Sequence, residues 1–391
     1  MLMQMRLNRC FIYCYYSLMS TLSDVKNLLL IFGGRSCEHA VSVTSARSLL
    51  AALGETPYQI RLLGIAESGE WRWADQSTLD SITQAGKVNP DAGVPVLLDL
   101  NRPGHMIDTS NGSELEFTID IIFPLLHGPY GEDGTIQGLF DMYGVPYVGC
   151  GVLASACGMD KLYSKILFAE AGIPQAEYVE VRQSDWQRKP LDVVERVTKT
   201  LRFPVFVKPA RMGSSVGISR ASGEEELKQA IEYALQFDQK VMVEDGFEGL
   251  LEVECGLLGN ESPLASVVGE IRSEAEFYDY QSKYIDNTSE AIIPAPISDL
   301  ASEKVRELAI RAFKVLDGSG LARADFFVDQ QSDQVWINEI NTLPGFTPIS
   351  MYPKLWEASG LPYSQLIAKL ISLAIEQFDA RNALKCSYSA P

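Results

Sequence analysis

Residues 320–350 read GLARADFFVDQQSDQVWINEINTLPGFTPIS. The apolar stretches ARADFFVD and VWINEI predict two successive strands. Side chains alternate between the faces of a strand, so Glu339 and Asn341, two apart, share one face, and an adjacent strand can bring Asp325 beside them. Two carboxylates and an amide oxygen suit Mg²⁺, which prefers hard oxygen donors and usually leaves room for phosphate. Arg323, two before Asp325, faces the same side and can offset charge in a transition state. The competing reading is a set of solvated strand positions. Against it, four polar groups share one face of otherwise apolar strands.

Upstream, FVKPARMGSSVGIS at 206–219 is a strand leading into a loop with Gly213, Ser214, Ser215 and Gly217, flanked by Lys208 and Arg211. Glycines let backbone N–H groups approach phosphate oxygens, hydroxyls add donors, and the two cations neutralise charge. The loop is neither a Walker loop nor a dinucleotide fingerprint. Taken alone it also reads as a plain surface hairpin. Together with Lys161, the loop and the carboxylates point to nucleotide-dependent chemistry on a fold that is not P-loop.

Around these segments strands and helices alternate. The run KNLLLIF ending in Gly33-Gly34, followed by a helical VSVTSARSLLAAL, opens an α/β unit, and FTIDIIFPLLHG at 117–128 predicts a second buried strand. Residues 67–115 are polar and Gly/Pro-punctuated and read as a variable excursion. The amphipathic SQLIAKLISLAIEQFD at 364–379 is expected to seal the core.

The whole chain has 391 residues, 46% hydrophobic and 21% charged, which suits two or three domains better than one core. Lys plus Arg total 33 against 51 acidic residues, and this net charge of −18 disfavours a nucleic-acid or anionic-membrane binder. Seven scattered cysteines without a C-x-x-C pair exclude a disulfide scaffold or zinc ribbon and point to a reduced, cytoplasmic compartment. Residues 1–20, MLMQMRLNRCFIYCYYSLMS, faintly copy a secretory signal, but tyrosines interrupt the apolar run and no A-x-A-like site follows. A non-structural extension is the preferred reading there, and targeting is the other.

The order MDK at 159–161, VKPARMGSSVGIS, EVEC at 252–255, GLARADFF and NEINTLPGFTPISMYP resembles the ATP-grasp superfamily and, within it, the D-alanine–D-alanine ligases. FGGRSCEHAVS at 32–42 and LHGPYGEDGTIQG at 126–138 are specific to that family, and the resemblance covers roughly residues 26–375. It implies an α/β (α+β) ATP-grasp fold. An extension over 1–24 precedes an N-terminal substrate-binding domain with an open parallel α/β sheet over 25–158. The α+β domains 159–245 and 246–391 then clasp ATP.

By the same resemblance, Lys161 and Lys208 reach the ATP phosphates, and Ser214 and Ser215 stand on the covering loop. Glu244 and Phe247 match positions near the adenine, Glu252 matches the acidic residue that holds the ribose, and Phe327 and Asn338 match further nucleotide contacts. Asp245 departs from the Gln or Lys expected there. Asp325, Glu339 and Asn341 match ligands of two Mg²⁺ (or Mn²⁺) ions, Glu339 being shared. The implied reaction passes through a D-alanyl phosphate, with Arg323 and the Gly345 N–H stabilising the later oxyanion. Glu38 matches the partner of the first substrate's ammonium, and Ser214 and Tyr284 match its partners in a hydrogen-bond chain. Ser350 and Met351, with Lys283, match contacts to the second substrate or the phosphate.

His127 stands among the candidate substrate contacts, although capping or supporting roles for it and for His39 are the plainer reading. Glu132 and Asp133 are read as holding their loop. The loop FYDYQSKYIDN at 277–287 resembles that of ligases making D-Ala-D-Ala and argues against D-lactate. D-serine, or another ATP-grasp carboxylate–amine pair, stays open at this point. A homodimer is common in similar enzymes, and monovalent-cation activation is left open by the sequence.

Overall fold

The run NLLLIFG forms β1 (Asn27–Gly33), whose side chains are buried on both faces. In the computed structural model, residues 27–53, 58–75, 79–247, 249–273 and 289–385 are described. The expected extension over 1–24 and the loop with Lys283 and Tyr284 lie outside the described residues.

β1 pairs in parallel with β2 (Gln59–Ile65) on one side. Beyond β2 come β3 (Trp71–Asp75), a two-residue pair β4 (Thr83–Gln84) and β5 (Lys87–Val88), then β6 (Val94–Leu98) and β7 (Met106–Asp108). β8 (Ile121–Leu125) is parallel to β1 on its other side, giving the sheet order β7-β6-β3-β2-β1-β8. The expected open parallel sheet is therefore mixed. β3, β6 and β7 come from the segment read as a variable excursion, and they add antiparallel strands. Short connections favour hairpin pairing there. The alternation in Trp71-Arg72-Trp73 carried the signal: Trp73 is buried and its ring centroid lies 5.4 Å from that of Phe117.

One face of this sheet packs under the helix His39–Ala52 and also under the last helix, Tyr363–Asn382, whose Leu366, Leu370 and Ile371 join the same core as Leu28 and Phe32. The first described strand and the last helix thus share one core.

A second sheet, β11-β10-β12-β9, is formed by β9 (Tyr178–Arg182), β10 (Val205–Pro209), β11 (Ser219–Ala221) and β12 (Lys240–Asp245), all antiparallel. Val205, Val207, Val241 and Val243 point into its core against the helices Pro190–Thr200 and Glu224–Ala234. The other face carries Lys208 and Glu244.

A third antiparallel sheet has the order β15-β14-β13-β16-β17, from β13 (Leu251–Leu258), β14 (Leu264–Ser273), β15 (Ser289–Ile292), β16 (Leu321–Asp329) and β17 (Gln334–Asn341). In β16, Ala322, Ala324, Phe326 and Val328 enter the core beneath the helix Asp299–Val315, and the residues between them face the opposite way. That opposite face holds Arg323, Asp325 and Phe327.

Candidate active site

The third sheet builds the site's floor. Asp325 lies opposite Glu339, and Arg323 lies opposite Asn341. Asn341 Nδ2 donates to Asp325 Oδ2 at 3.1 Å, and Arg323 grips Asp325 with two parallel bonds of 2.7 Å from Nε and a terminal nitrogen. The pairing slips between Asp325 and Phe326, so β17 carries an extra residue, Asn338. This bulge lets Ile337 and Ile340 both reach the core while Asn338 accepts from Lys208 Nζ at 3.3 Å.

Residues Asp160–Lys161 begin the helix Lys161–Glu170, where Asp160 caps the N–H groups of Leu162 and Tyr163. Lys161 Nζ stands 3.0 Å from Glu339 and donates to the Met212 carbonyl at 2.9 Å. One turn later, Lys165 is almost wholly buried and pairs with Glu244 at 3.0 Å. Lys208 pairs with the other Glu244 oxygen. Burial alone would favour the neutral acid, but Lys165 and Lys208 hold Glu244 down at about 2. Burial likewise opposes charge on Lys208, yet Glu244 and Glu339 raise its pKa. Glu244 and Lys208 therefore stay ionised, and the pairing of Glu244 with both lysines fixes the Lys208 ammonium.

Because breaking a buried ion pair leaves an uncompensated charge, Lys165→Met is expected to cost about 3–5 kcal/mol. Thermal unfolding should register this as a Tm fall of more than about 5 °C. An unchanged Tm would show that Lys208 alone satisfies Glu244.

Beside this group, the ring centroid of Phe247 lies 5.4 Å from that of Phe327 and 5.1 Å from that of Trp336. These rings can receive a flat heterocycle, and Trp336 was not singled out in the sequence reading. Glu252 is exposed on β13 opposite Phe327. Asp245 turns away from the site, its carboxylate accepting the Arg202 N–H at 3.1 Å.

The phosphate loop arches over this floor. Ser214 and Ser215 have φ of 48° and 59°, in the left-handed region. Such a backbone costs L residues about 1–3 kcal/mol each, so the surrounding contacts must enforce it. One such contact is Ser214 Oγ donating to Glu38 Oε1. A Cβ on Gly213 or on Gly128 would fall 2.7 Å from Glu38 Oε2, so glycines on both sides allow the carboxylate in. Arg211, one of the two cations that the loop's composition singled out, is paired with Asp238. Asp238 holds it at the loop's base through bonds of 3.0 and 2.6 Å.

Of the histidines, His39 accepts the Val88 N–H at Nε2, at 2.9 Å, and meets the Gly34 carbonyl at Nδ1, at 2.7 Å. His127 faces the Leu343 carbonyl at 3.1 Å and Ser45 Oγ at 3.3 Å, so both its nitrogens meet protein groups. Burial lowers the His127 pKa and keeps the ring neutral. Glu132 accepts the Gly128 N–H at 2.9 Å, and Asp133 accepts that of Tyr130 at 2.8 Å; both brace the loop.

Burial and the nearby charge of Glu38 push Glu132 up to about 8. The unfolded chain releases this proton near about pH 4.3. Between those values the folded state holds more protons, so this group lowers stability as pH rises through that window. Glu132→Gln should therefore gain Tm relative to the wild type as pH goes from about 5 to about 8. A constant Tm difference across that range would show that Glu132 ionises normally.

Gly345 lies where a Cβ would come within 3.1 Å of Ser350 Oγ. Ser350 closes its own loop, accepting the Thr347 N–H at 3.1 Å, and begins the helix Met351–Ala358. The Met351 side chain is buried, its sulfur 3.2 Å from where a Cβ on Gly269 would lie.

Among the described residues no three His, Cys, Asp or Glu side chains converge on one point. Asp325 and Glu339 with the amide oxygen of Asn341 make an all-oxygen set that leaves positions for phosphate, and this fits Mg²⁺ better than zinc. Arg323 and Lys161 neutralise the two carboxylates in this state.

A family model described as D-ala D-ala ligase N-terminus matches residues 27–150, and one described as D-ala D-ala ligase C-terminus matches residues 167–372. A D-alanine–D-alanine ligase of Acetivibrio thermocellus is 46% identical over 370 residues, covering 92% of this chain and 98% of its own. Among solved structures, the D-alanine-D-alanine ligase from Coxiella burnetii aligns with a TM-score of 0.79 at 32% identity, over 92% of this chain and 97% of that one. The VanG D-Ala:D-Ser ligase from Enterococcus faecalis aligns with a TM-score of 0.78 at 34% identity, over 90% of this chain and 100% of that one.

Proposed function

The chain belongs to the D-alanine–D-alanine ligase family, and from that premise we propose that it joins two D-alanines into D-alanyl-D-alanine with hydrolysis of ATP to ADP and phosphate, for peptidoglycan precursors. The observation that carries this reading is the bond from Ser214 to Glu38, across 176 positions of sequence. It ties a carboxylate beside the N-terminal sheet to the loop that covers the phosphates.

In the first step a carboxylate oxygen of the first D-alanine attacks the γ-phosphorus of ATP, and ADP leaves. Two anions must meet, so catalysis is positioning and charge screening. Lys161 and Lys208 reach the phosphates, and Glu38 receives the substrate ammonium. Phe247, Phe327 and Trp336 hold the adenine beside Glu244, Glu252 takes the ribose, and Asn338 steadies Lys208. Asp325, Glu339 and Asn341 would hold Mg²⁺. The metal supplies charge neutralisation on the transferring phosphoryl group.

In the second step the amine of the other D-alanine attacks the acyl carbon of D-alanyl phosphate, and phosphate departs. Arg323 and the Gly345 N–H stabilise the oxyanion. The amine proton passes through the Tyr284 and Ser214 hydroxyls to the Glu38 carboxylate, and Ser350, the Met351 N–H and Lys283 hold the second carboxylate. His127 supports Glu38 and the 343–345 loop from behind. The chain divides for this work into 25–158, which holds the first substrate, and 159–245 with 246–391, which clasp ATP.

Among the described residues no helix is long and apolar enough to cross a membrane. The reading extends to a cytoplasmic homodimer, which sedimentation would check.

Competition between D-alanine, D-serine and D-lactate with ATP tests the assignment. D-Ala-D-Ala should dominate the products, resolved by mass spectrometry. Predominance of D-Ala-D-Ser would move the chain to the other specificity. Turnover with L-amino acids and none with D-alanine would overturn the reading.

A further inference from the structure

One carboxylate on the active-site face is left unexplained by the roles above. Glu254 lies on the central strand β13, two residues from Glu252 and therefore on the same face, and opposite Asp325 in register. It is buried, and its Oε2 is 2.8 Å from Arg323 Nε. Arg323 Nε thus meets two carboxylates, Asp325 as part of a two-bond grip and Glu254 beside it. Burial opposes the guanidinium's charge, while Asp325 and Glu254 together raise its pKa well above the ordinary value.

This double pairing is more than one cation requires, and it has a consequence for the reaction. Both Asp325 oxygens are engaged by Arg323, and Oδ2 also accepts from Asn341. Asp325 keeps one further acceptor position on Oδ1, but a divalent ion bound there would stand against the guanidinium, and that like-charge repulsion favours release of the grip. Once Asp325 turns to the metal, a buried guanidinium would lose its two strongest bonds. Glu254 remains within reach of the same Nε.

We propose that Glu254 is the positioning residue for Arg323: it receives the Nε–H when Asp325 is taken up by Mg²⁺, and so holds the terminal guanidinium nitrogens toward the oxyanion of the second step. The proposal rests on the ligase reading above. No proton is transferred; one hydrogen bond exchanges its acceptor. Without Glu254, Arg323 either follows Asp325 and competes with the metal or moves off the oxyanion position.

The test uses the full-length enzyme with Glu254→Gln, which keeps an oxygen acceptor, and Glu254→Leu, which removes it. Wild-type formation of D-Ala-D-Ala in the same assay secures the underlying reading separately. Loss of outer hydrogen-bonding partners at metal sites typically costs about 10–100-fold. Accordingly kcat should fall about 10-fold in Glu254→Gln and about 100-fold in Glu254→Leu, with the KM for ATP and D-alanine within about threefold of wild type.

Two further readouts separate positioning from bulk or ligation. In an Arg323→Met background, Glu254→Gln should lower kcat no further, because the group it positions is gone. Mn²⁺ binding in the presence of a non-hydrolysable ATP analogue, followed by calorimetry, should not weaken in Glu254→Gln. Wild-type kcat in a folded Glu254→Leu enzyme would overturn the proposal. So would additive losses in the double variant, or Mn²⁺ affinity falling in step with kcat, which would make Glu254 a metal ligand.

Discussion

Glu339→Gln should reduce ATP-dependent D-Ala-D-Ala formation by about 10³-fold. Glu339 faces Asp325 across β16 and β17 and lies 3.0 Å from the Lys161 ammonium. The change keeps the shape but removes the charge, and with it two things at once. The proposed metal ligand set loses one of its two carboxylates, and Lys161 loses the anion that aims it. Screening of two reacting anions is the main task of this site, so a loss on this scale is expected. Phosphate release at saturating substrates measures it, and Mn²⁺ binding with a non-hydrolysable ATP analogue should weaken in parallel. Near-normal turnover would place the metal away from Glu339.

Arg323→Met should lower kcat by about 10²–10³-fold, the range for removing one oxyanion donor from a site shielded from water. Unlike the first variant, it should not weaken metal binding. Asp325 is released from its two-bond grip, so Mn²⁺ affinity should hold or rise. In the absence of nucleotide and metal, Asp325, Glu254 and Glu339 are left facing one another without their shared cation, and Tm should fall. Adding Mg²⁺ and the ATP analogue should recover much of that loss, because the metal restores positive charge where the guanidinium stood. Loss of metal affinity together with kcat would show that Arg323 supports the metal site rather than the oxyanion.

These opposite responses follow from one physical fact. Arg323, Asp325, Glu339 and Asn341 share a single sheet face, so in the proposed mechanism the Mg²⁺ and oxyanion sites adjoin, and Arg323 and the metal would compete for Asp325. A net charge of −18 says nothing about such a place. Lys161, Lys165, Lys208 and Arg323 are gathered at the one cleft where anions must meet, each held by a buried or half-buried carboxylate. The acidic residues there organise cations, whatever metal they also bind in the proposed mechanism.

Much of this arrangement was legible from residue order. The alternation in ARADFFVD and the two-residue spacing of Glu339 and Asn341 placed four polar groups on one face. The strand pairs bring Asp325 beside Asn341 and Arg323 beside Asp325, as that spacing required. The strand opening FVKPARMGSSVGIS and the amphipathic helix at 364–379 formed where their patterns put them. The segment 67–115 was misjudged because its strands are short and half-polar. Their pairing depends on a neighbouring edge that no local pattern reveals.

Other features carried a weaker local signal. Glu254 stands two after Glu252 and Lys165 four after Lys161, so each shares a face with its neighbour. Spacing alone did not show that each would be buried against a specific partner.

By itself the sequence determined the classes of group present and the face each occupies, because strand and helix periods are local properties of the backbone. It could not determine that β17 bulges at Asn338, that Glu38 meets Ser214, or that Arg323 has two carboxylates. Each of these depends on strand register or on packing between segments up to 176 positions apart. The energy that selects among such contacts comes from burial of the whole assembly, so only the tertiary structure decides them.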